Sequence, residues 1–390
     1  MRDTLSHQVA VARPLSADPA GQAIRRAMRI RRRRAAAGLA LAVTATVLIS
    51  TGMAQLGDDP SRQGPPTVVI GDPALSPRPI PTATIAPAPA QGTSVDLLVD
   101  STLVSSTGGR LELPGVGPAE RAFRLPDNAG WLVVGVQTTA GRSLWVAHQD
   151  GLVQVLLAGA GPIVVAPDRR QIAWRDGSDI VVAGVINAQL IGPVRTPAPA
   201  GAVPVQFVRD SVLVRLDPTR AGHALWRPGA GQLGIGTDRK TLNVYGTLPD
   251  GKLIGQVAAG DPRETCLAVL EPKQDLKPVR TGCGPDLSPD GAGGISADGR
   301  WLLVNGRVGK AERALLIDLH RLGADLTALP AGLPLTGAVA WTTDSDATYV
   351  DRAGELVRVD VDQVRAGRPA EPAPVTGVRP RDRLVVVTGS

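Results

Sequence analysis

A turn centred on aspartate recurs through the sequence from residue 94 onward, each time directly before a run of hydrophobic residues. The aspartates are Asp127, Asp168, Asp210, Asp250, Asp298, Asp344 and Asp382, and successive ones are 38 to 48 residues apart. A second hydrophobic run follows each of the first six turns by about 11 to 16 residues. Repeats of this length are supersecondary units that bury their hydrophobic faces only against their neighbours. The sequence therefore predicts an array of similar units.

The hydrophobic runs themselves indicate β-structure. They are short stretches of Val, Leu and Ile, separated by Gly, Pro and Asp, such as GWLVVGVQ (130–137) and RWLLVNG (300–306). Runs of four to eight residues bounded by turn residues are typical of strands. The one helix-like stretch, Ala311–Leu322, we interpret as a strand at its core. We therefore expect an all-β domain over residues 94–390.

Several of the turns resemble a known repeat. LSPDGAGG (287–294), SADGRWLLV and LPDGKLIG are similar to the TolB-type and WD40-like β-propeller repeats, and VAPDRRQIAW is a variant without the glycine. The turns at Asp210, Asp344 and Asp382 depart further from the pattern. The resemblance implies a β-propeller over residues 94–390. It implies little about function, because propellers serve as binding modules and as enzymes alike.

The turn chemistry and the spacing together suggest how many blades there are. Aspartate accepts backbone N–H groups in a turn, and glycine supplies a positive φ. The strand that follows is hydrophobic on both faces, as expected at the centre of a blade. At about 42 residues per repeat the domain holds seven blades, and six is the alternative because two intervals are longer. Asp382 begins an unfinished blade, which strands within 95–100, 110–115 and 121–125 would complete.

The stretch Arg31–Leu56 predicts a transmembrane helix. Four arginines end abruptly at Ala35, and residues 35–56 carry no charge. About 20 apolar residues span the hydrocarbon core of a bilayer. The alternative is a cleaved secretory signal with a small-residue site at 52–54. Both interpretations place the remainder of the chain outside the cytoplasm.

The charge is concentrated in the tail that precedes this helix. Residues 1–34 hold nine arginines and two aspartates, a net charge of +7. The whole chain carries +6, so the remaining residues sum to −1. Basic segments stay in the cytoplasm, and we expect an amphipathic helix here, starting at Asp18-Pro19, that lies on anionic lipid. The lipid-contacting residues are Arg25, Arg26, Arg29, Arg31, Arg32, Arg33 and Arg34. Docking to a cytoplasmic partner is the alternative. The near-neutral remainder does not suggest nucleic-acid binding.

Residues 57–93 form a linker. They contain nine prolines and show no hydrophobic periodicity. Proline-rich segments adopt extended, semi-rigid conformations. We expect this linker to hold the outer domain away from the membrane.

Two cysteines, Cys266 and Cys283, lie at equal distances from the centre of an expected hairpin turn around EPKQDLK. Opposed positions of a hairpin bring Cβ atoms close enough for a bridge. Outside the cytoplasm such a bridge persists. We therefore predict a structural disulfide, with a reactive thiol pair as the alternative.

No pattern in the sequence identifies a catalytic, metal or cofactor site. His148, His223 and His320 are scattered, and the acidic stretches at 344–346 and 358–363 lack the glycine and final glutamate of an EF-hand loop. We interpret those carboxylates as solvated turn residues and the six tryptophans as packing between blades.

The most direct functional hypothesis is a single-pass membrane protein that presents an extracytoplasmic propeller as a binding or sensing module for a protein, peptide or glycan. An extracytoplasmic hydrolase or lyase is one alternative. The organisation also resembles membrane regulators of extracytoplasmic-function sigma factors. However, the tail lacks their zinc-binding His/Cys motif and is shorter than their usual cytoplasmic domain.

Overall fold

The computed structural model describes residues 94–389 apart from 235, 237, 259–263, 324, 325, 376 and 380. All of them belong to the second of two compact units of the chain, Pro65–Ser390. Within the described residues the regular structure is almost entirely β-strand, with one short α-helix, α1 (Val361–Arg365), and three 3-10 turns. The all-β class expected from the short hydrophobic runs is confirmed.

The strands follow one another with short connections, and the stretch 311–322 opens with a strand, as expected. In chain order the strands of the described residues are β1 (Leu97–Val99), β2 (Thr102–Val104), β3 (Arg110–Glu112), β4 (Ala119–Arg124), β5 (Trp131–Gly135), β6 (Arg142–Ala147), β7 (Val153–Ala160), β8 (Ile163–Val165), β9 (Gln171–Asp176), β10 (Asp179–Ile186), β11 (Gln189–Pro197), β12 (Val203–Val208), β13 (Ser211–Arg215), β14 (His223–Trp226), β15 (Thr241–Thr247), β16 (Leu253–Ala258), β17 (Thr265–Glu271), β18 (Lys277–Gly282), β19 (Asp286–Leu287), β20 (Gly293–Ile295), β21 (Trp301–Val308), β22 (Ala311–Asp318), β23 (Ala328–Gly332), β24 (Leu335–Trp341), β25 (Asp346–Asp351), β26 (Leu356–Asp360), β27 (Pro372–Ala373) and β28 (Leu384–Thr388).

These strands form six sheets. Five of them are antiparallel and consecutive in sequence: β8–β11, β12–β14, β15–β18, β19–β23 and β24–β27. The remaining sheet has eight strands in the order β3-β2-β1-β28-β4-β5-β6-β7. Its single parallel pair, β28 with β4, divides it into two antiparallel groups of four. Successive small antiparallel sheets of this kind are the units of a β-propeller.

Strands that have a neighbour on either side in their sheet, such as β9, β13 and β21, are the most deeply buried. In β9, for example, Ile172, Ala173 and Trp174 are at most 2% exposed. The hydrophobic clusters combine facing sides of adjacent sheets, as where Trp301 of β21 meets Tyr349 of β25. The expected role of the hydrophobic runs as central strands is thereby explained.

One strand from each sheet, and two from the eight-stranded sheet, pack against one another in turn. We call these the first strands, and they are β4, β8, β12, β15, β20, β24 and β28. β8 contacts β12, β12 contacts β15, β15 contacts β20, β20 contacts β24, and β24 contacts β28. β28 pairs in parallel with β4. From β4, the Arg121 guanidinium donates a hydrogen bond to the carbonyl of Ile163 in β8, and burial lowers the pKa of Arg121.

The two ends of the described chain meet in one sheet. β28 pairs antiparallel with β1, with Leu97 opposite Val386 and Val99 opposite Leu384. The expectation that the C-terminal strand shares a blade with residues 95–100 and 110–115 is confirmed, since β1 and β3 lie in these ranges. Residues 121–125 form most of β4, which lies in the same sheet. β4 pairs in parallel with β28 on one side and antiparallel with β5 on the other.

Among the described residues no helix has the length and hydrophobicity needed to cross a membrane. The predicted transmembrane segment, residues 35–56, lies outside the described residues. So do the basic tail 1–34 and the linker 57–93.

Candidate binding groove

Six of the seven repeat aspartates lie in the turn that follows a first strand and precedes the next strand of the same sheet. They are Asp127, Asp168, Asp210, Asp250, Asp298 and Asp344. In three of these turns a carboxylate oxygen accepts the backbone N–H two residues ahead at 3.0 Å. The pairs are Asp168 with Arg170, Asp250 with Lys252, and Asp298 with Arg300. These contacts are the local turn chemistry that the sequence predicts.

Asp382 occupies a different position. It precedes β28, which is the first strand of its group, whereas the other six turns follow a first strand. Asp382 accepts the backbone N–H of Arg379 at 2.8 Å, and the next residue, Arg383, donates its N–H to Asp100 at 3.0 Å. Asp100 lies in the β1–β2 turn, at the opposite end of the strands from the six aspartate turns. The 38-residue interval that ends at Asp382 is therefore similar in length to the other intervals, but the Asp382 turn is not structurally equivalent to the other six turns.

Four of the six turns, those at Asp210, Asp250, Asp298 and Asp344, contact a neighbouring turn across sheets. Arg209 donates from Nη2 to the Asp250 carbonyl at 3.0 Å, and Asp298 donates its N–H to the Asp344 carboxylate at 3.2 Å. Gly299 lies so close to Pro249 that an added Cβ would stand 2.5 Å from its Cδ. We call this end of the strands the turn end. Its turns form a continuous surface rather than separate loops.

Two arginines take left-handed conformations that glycine takes in other turns. Gly251 and Gly299 have φ values of +87° and +75°, while Arg169 and Arg209 have values of +58° and +56°. A left-handed residue with a Cβ costs roughly 1–2 kcal/mol. Arg209 extends over Gly251, where an added Cβ would stand 2.2 Å from Nη2. The missing side chain at 251 leaves the space that the guanidinium fills.

Beside Arg209 a groove of about 510 Å³ opens at the turn end, between the sheets β12–β14 and β15–β18. It lies within the size range of ordinary ligand sites. Its walls are the β12–β13 and β15–β16 turns, the end of β14 and the turn after β17. The lining residues are Val208, Arg209, Asp210, Ser211, Leu225, Arg227, Asp250, Gly251, Lys252, Glu271, Pro272 and Lys273. We call this the groove.

Ion pairs neutralise part of the charge in the groove. Arg227 pairs with Asp210 at 2.6 Å, and Lys252 pairs with Asp250 at 2.5 Å. The hydrogen bond from Lys252 lowers the pKa of the Asp250 carboxyl, and the same bond raises the pKa of Lys252. Both aspartates are therefore occupied by a neighbouring cation.

The third carboxylate, Glu271, accepts the backbone N–H of Lys273 at 3.2 Å. Within the described part of the chain, Arg209 and the Lys273 ammonium have no carboxylate within ion-pair distance. The groove lining thus holds four cations and three carboxylates, which leaves a net charge of +1. The two cations outside ion pairs, Arg209 and Lys273, are exposed. Val208, Leu225 and Pro272 add an apolar component to its walls.

The histidines are not brought together. His148 follows β6, His223 begins β14 and His320 lies in the turn after β22, so they belong to three different sheets. Among the described residues there is no group of three or more His, Cys, Asp or Glu side chains that could hold a metal ion. The carboxylate of Asp346 pairs with Arg358 at 3.3 Å, and Asp360 caps α1.

Cys266 and Cys283 form a disulfide, with 4.3 Å between their Cα atoms. The register pairs Leu267 with Gly282, which places the two cysteines opposite each other at the open end of the β17–β18 hairpin. The predicted bridge and its hairpin geometry are confirmed. Cys266 is buried, and the bridge holds the two strands that carry the Glu271–Lys273 wall of the groove.

Sequence reasoning does not find the groove, because its walls come from four separate segments. One signal was nevertheless present. VAPDRRQ and FVRDSV place arginine in or beside the turn where related turns read PDG. Arg169 follows its aspartate as the PDG glycine does, whereas Arg209 precedes Asp210. Both have a positive φ, which favours glycine, so an arginine there indicates that its side chain is retained for a reason other than turn formation.

No protein-family model matches this sequence, and no curated protein is similar to it. Solved structures with a similar arrangement include TolB from Acinetobacter baumannii, at 18% identity and a TM-score of 0.42, covering 71% of this chain and 69% of that one. A putative 6-phosphogluconolactonase from Bacteroides uniformis has 12% identity and a TM-score of 0.49, covering 75% and 99%. The dihydro-heme d1 dehydrogenase NirN has 16% identity and a TM-score of 0.46, covering 81% and 80%. These identities and TM-scores are too low to carry an argument, so the fold is inferred from the strand pairing within this chain.

Proposed function

We propose that this chain is a single-pass membrane protein that presents a β-propeller outside the cytoplasm as a binding module. In this proposal residues 1–34 lie in the cytoplasm, residues 35–56 span the membrane and residues 57–93 hold the propeller away from it. The seven arginines at positions 25, 26, 29 and 31–34 contact anionic lipid. Their +7 tail and the uncharged stretch that follows support this orientation.

The propeller has seven blades in this proposal. The eight-stranded sheet divides at the parallel β28–β4 pair into two groups, and these join five other sheets. The successive packing of first strands, from β4 through β8 and back to β28, supports a closed ring. Closure removes the free sheet edges that would otherwise pair with other chains.

The disulfide supports the location outside the cytoplasm. Disulfides persist in oxidising compartments and are rare in the cytosol. Cys266 and Cys283 are joined with their strands in ordinary antiparallel register. The bridge therefore agrees with the positive-inside rule, although the two arguments are independent.

The groove is the observation that favours a binding module over an enzyme. Its aspartates are engaged by Arg227 and Lys252, its glutamate accepts a backbone N–H, and no histidine lines it. A general acid or base needs a free titratable group near the reacting atoms. A mixed-charge cleft with apolar walls is instead suited to holding part of a ligand.

A reporter experiment tests this proposal. A phosphatase that is active only outside the cytoplasm, fused after Ser390 in a bacterial host, should be active, and a cytoplasm-only reporter at the same position should be silent. N-terminal sequencing of the membrane-bound protein should begin near Met1. Activity of the cytoplasmic reporter would contradict the topology. A mature N-terminus near Gln55 would convert the protein into a secreted propeller.

A further inference from the structure

We propose that the groove binds an acidic peptide segment, an extended chain whose carboxylates meet Arg209 and Lys273. This inference rests on the proposed function, because it assigns a ligand class to the proposed binding module. The partner is then a protein outside the cytoplasm with a stretch of alternating acidic and apolar residues.

Charge is the first argument. The aspartates of the groove are already paired, whereas Arg209 and Lys273 make no ion pair within the described part of the chain. The Arg209 guanidinium uses Nη2 for the Asp250 carbonyl, and its remaining N–H groups are free to take a carboxylate. An anionic ligand therefore gains interactions in the groove without displacing an internal ion pair.

The backbone of Arg209 is the second argument. Its φ of +56° lies in the region that favours glycine, so the turn itself would form more easily without the arginine side chain. Gly251 leaves the space that this side chain occupies. Arg209 and Gly251 together place a cation at the mouth of the groove, although the backbone conformation at residue 209 favours glycine.

The shape of the groove is the third argument, and it favours a peptide over a free anion. A small anion would contact only the cations. Leu225 on one side and Pro272 on the other offer apolar surface, and the Ser211 hydroxyl, which donates to Asp210 at 3.4 Å, can still accept a hydrogen bond. An extended chain with alternating side chains can use both kinds of surface at once.

The primary test uses the full-length protein in detergent, because residues 35–56 are apolar. The probe is a blocked, fluorescein-labelled peptide of alternating glutamate and valine, and the reference is the same peptide with glutamine for glutamate. Fluorescence anisotropy should show about tenfold tighter binding of the glutamate peptide. Its affinity should fall as salt rises from about 0.05 M to about 0.5 M, because exposed charges are screened. Equal binding of both peptides, or none, would overturn the proposal.

Charge variants locate the site. Arg209→Gln and Lys273→Gln should each weaken binding of the glutamate peptide about three- to tenfold. Glu271→Gln should strengthen it about two- to threefold, because glutamine can still accept the Lys273 N–H while a negative charge is removed. Lys310→Gln, at an exposed turn on the opposite end of the strands, is the matched control and should change nothing. Unchanged affinity in all three groove variants would place any binding elsewhere.

A pair of glycine variants tests the position of Arg209 without altering charge. In Gly251→Ala the new Cβ displaces the guanidinium, so binding should weaken. Gly115→Ala is the control, because Gly115 has nearly the same φ, +86°, with nothing within 4 Å of the added atom. Both variants carry the same backbone strain, and their thermal melts should shift alike. Equal affinity in the two would refute the role of Arg209.

Inorganic phosphate, added as a competitor, separates a peptide site from a simple anion site. Phosphate should displace the glutamate peptide only at concentrations far above the peptide dissociation constant. Displacement at similar concentrations would overturn the peptide assignment. The topology proposal is judged separately, since the reporter fusion does not depend on peptide binding. A failed peptide test with a correct topology would remove this inference alone.

Discussion

The Asp238 carboxylate accepts backbone N–H groups at the edge of a three-stranded sheet. The sheet β12–β14 has three strands, and the described residues between 227 and 240, which exclude 235 and 237, add no fourth strand to it. The Asp238 carboxylate accepts the N–H of His223 at 3.0 Å and those of Lys240 and Thr241 at 3.1 Å. Burial raises the pKa of Asp238. The His223 imidazole, whose Nδ1 lies 3.8 Å from the carboxylate, and the donors of Lys240 and Thr241 outweigh this effect, so the pKa lies below its ordinary value. One buried side chain thus satisfies three backbone groups.

Replacing this carboxylate should therefore destabilise the fold. Asp238→Asn puts an NH₂ group where an acceptor is needed, and a buried unsatisfied group costs about 1–3 kcal/mol. A lowered folded-state pKa stabilises the protein above the ordinary value of 3.8, and this stabilisation is lost as the pH falls through the folded-state pKa. The difference in unfolding free energy between parent and variant should be largest near neutral pH and shrink below about pH 4.

Asp217→Asn is the matched control, and urea unfolding at several pH values is the measurement. Asp217 also accepts a backbone N–H, from Thr219 at 2.8 Å, but it is exposed. Its replacement should change stability by less than about 0.5 kcal/mol. A loss for Asp217→Asn as large as that for Asp238→Asn would show that burial is not the cause.

At the scale of elements, the β17–β18 hairpin has an edge strand that discourages pairing with other chains and a disulfide that holds this strand in place. β18 is the outer strand of its sheet, and its residues Lys277 and Pro278 are exposed. Lysine and proline on an edge strand discourage pairing with another chain. The disulfide ties this edge strand to β17 near the open end of the hairpin, where strand pairing alone would fray.

Removing the disulfide should lower the stability of the domain. On the chain-entropy model a bridge closing a loop of about 15 residues contributes roughly 3 kcal/mol, and the separation here is 17. The variant Cys266→Ala with Cys283→Ala should melt below the parent. Reductant should lower the melting temperature of the parent to a similar value and leave the variant unchanged. A reductant effect on the variant, or none on the parent, would contradict the prediction.

At the scale of the whole molecule, stability depends on joining the two ends of the described chain. β28 is nearly fully buried, and Val385 and Val387 pack in one cluster with Leu98 and Trp131. The carbonyl of Asp96 accepts the Val387 N–H at 3.0 Å, and the Asp96 carboxylate pairs with Arg124 at 3.1 Å. Loss of this strand would uncover β1 on one side and β4 on the other.

Deletion of residues 382–390 should therefore unfold or aggregate the domain. Full burial of each valine contributes roughly 1.5 kcal/mol or more, and a whole domain is stable by only about 5–15 kcal/mol. The thermal melt of the full-length protein should lose its cooperativity. A deletion of the same length within the linker, residues 74–82, is the control and should leave the melt intact. A melt within a degree or two of the parent after the C-terminal deletion would remove the closed ring and the seven-blade proposal with it.

Much of the architecture was readable in the sequence because its signals are local. Turn chemistry at Asp168 or Asp250 involves residues two positions apart, and a buried central strand needs only an unbroken run such as LLV at 302–304. The disulfide follows from equal distances to one hairpin turn. Each of these inferences requires no knowledge of what lies beyond a few residues, and together they predicted the all-β class and the repeat.

Tertiary structure decided what depends on distant segments. Asp382 looks like the other turns, yet it lies at the opposite end of the strands, because it precedes β28, which pairs with β1 and β4, rather than following a first strand. Residues 121–125 belong to β4 because β5 pairs with them, which their own composition does not specify. The groove exists only where segments around Arg209, Arg227, Asp250 and Glu271 converge. Such convergence is set by packing between sheets, so no local pattern records it.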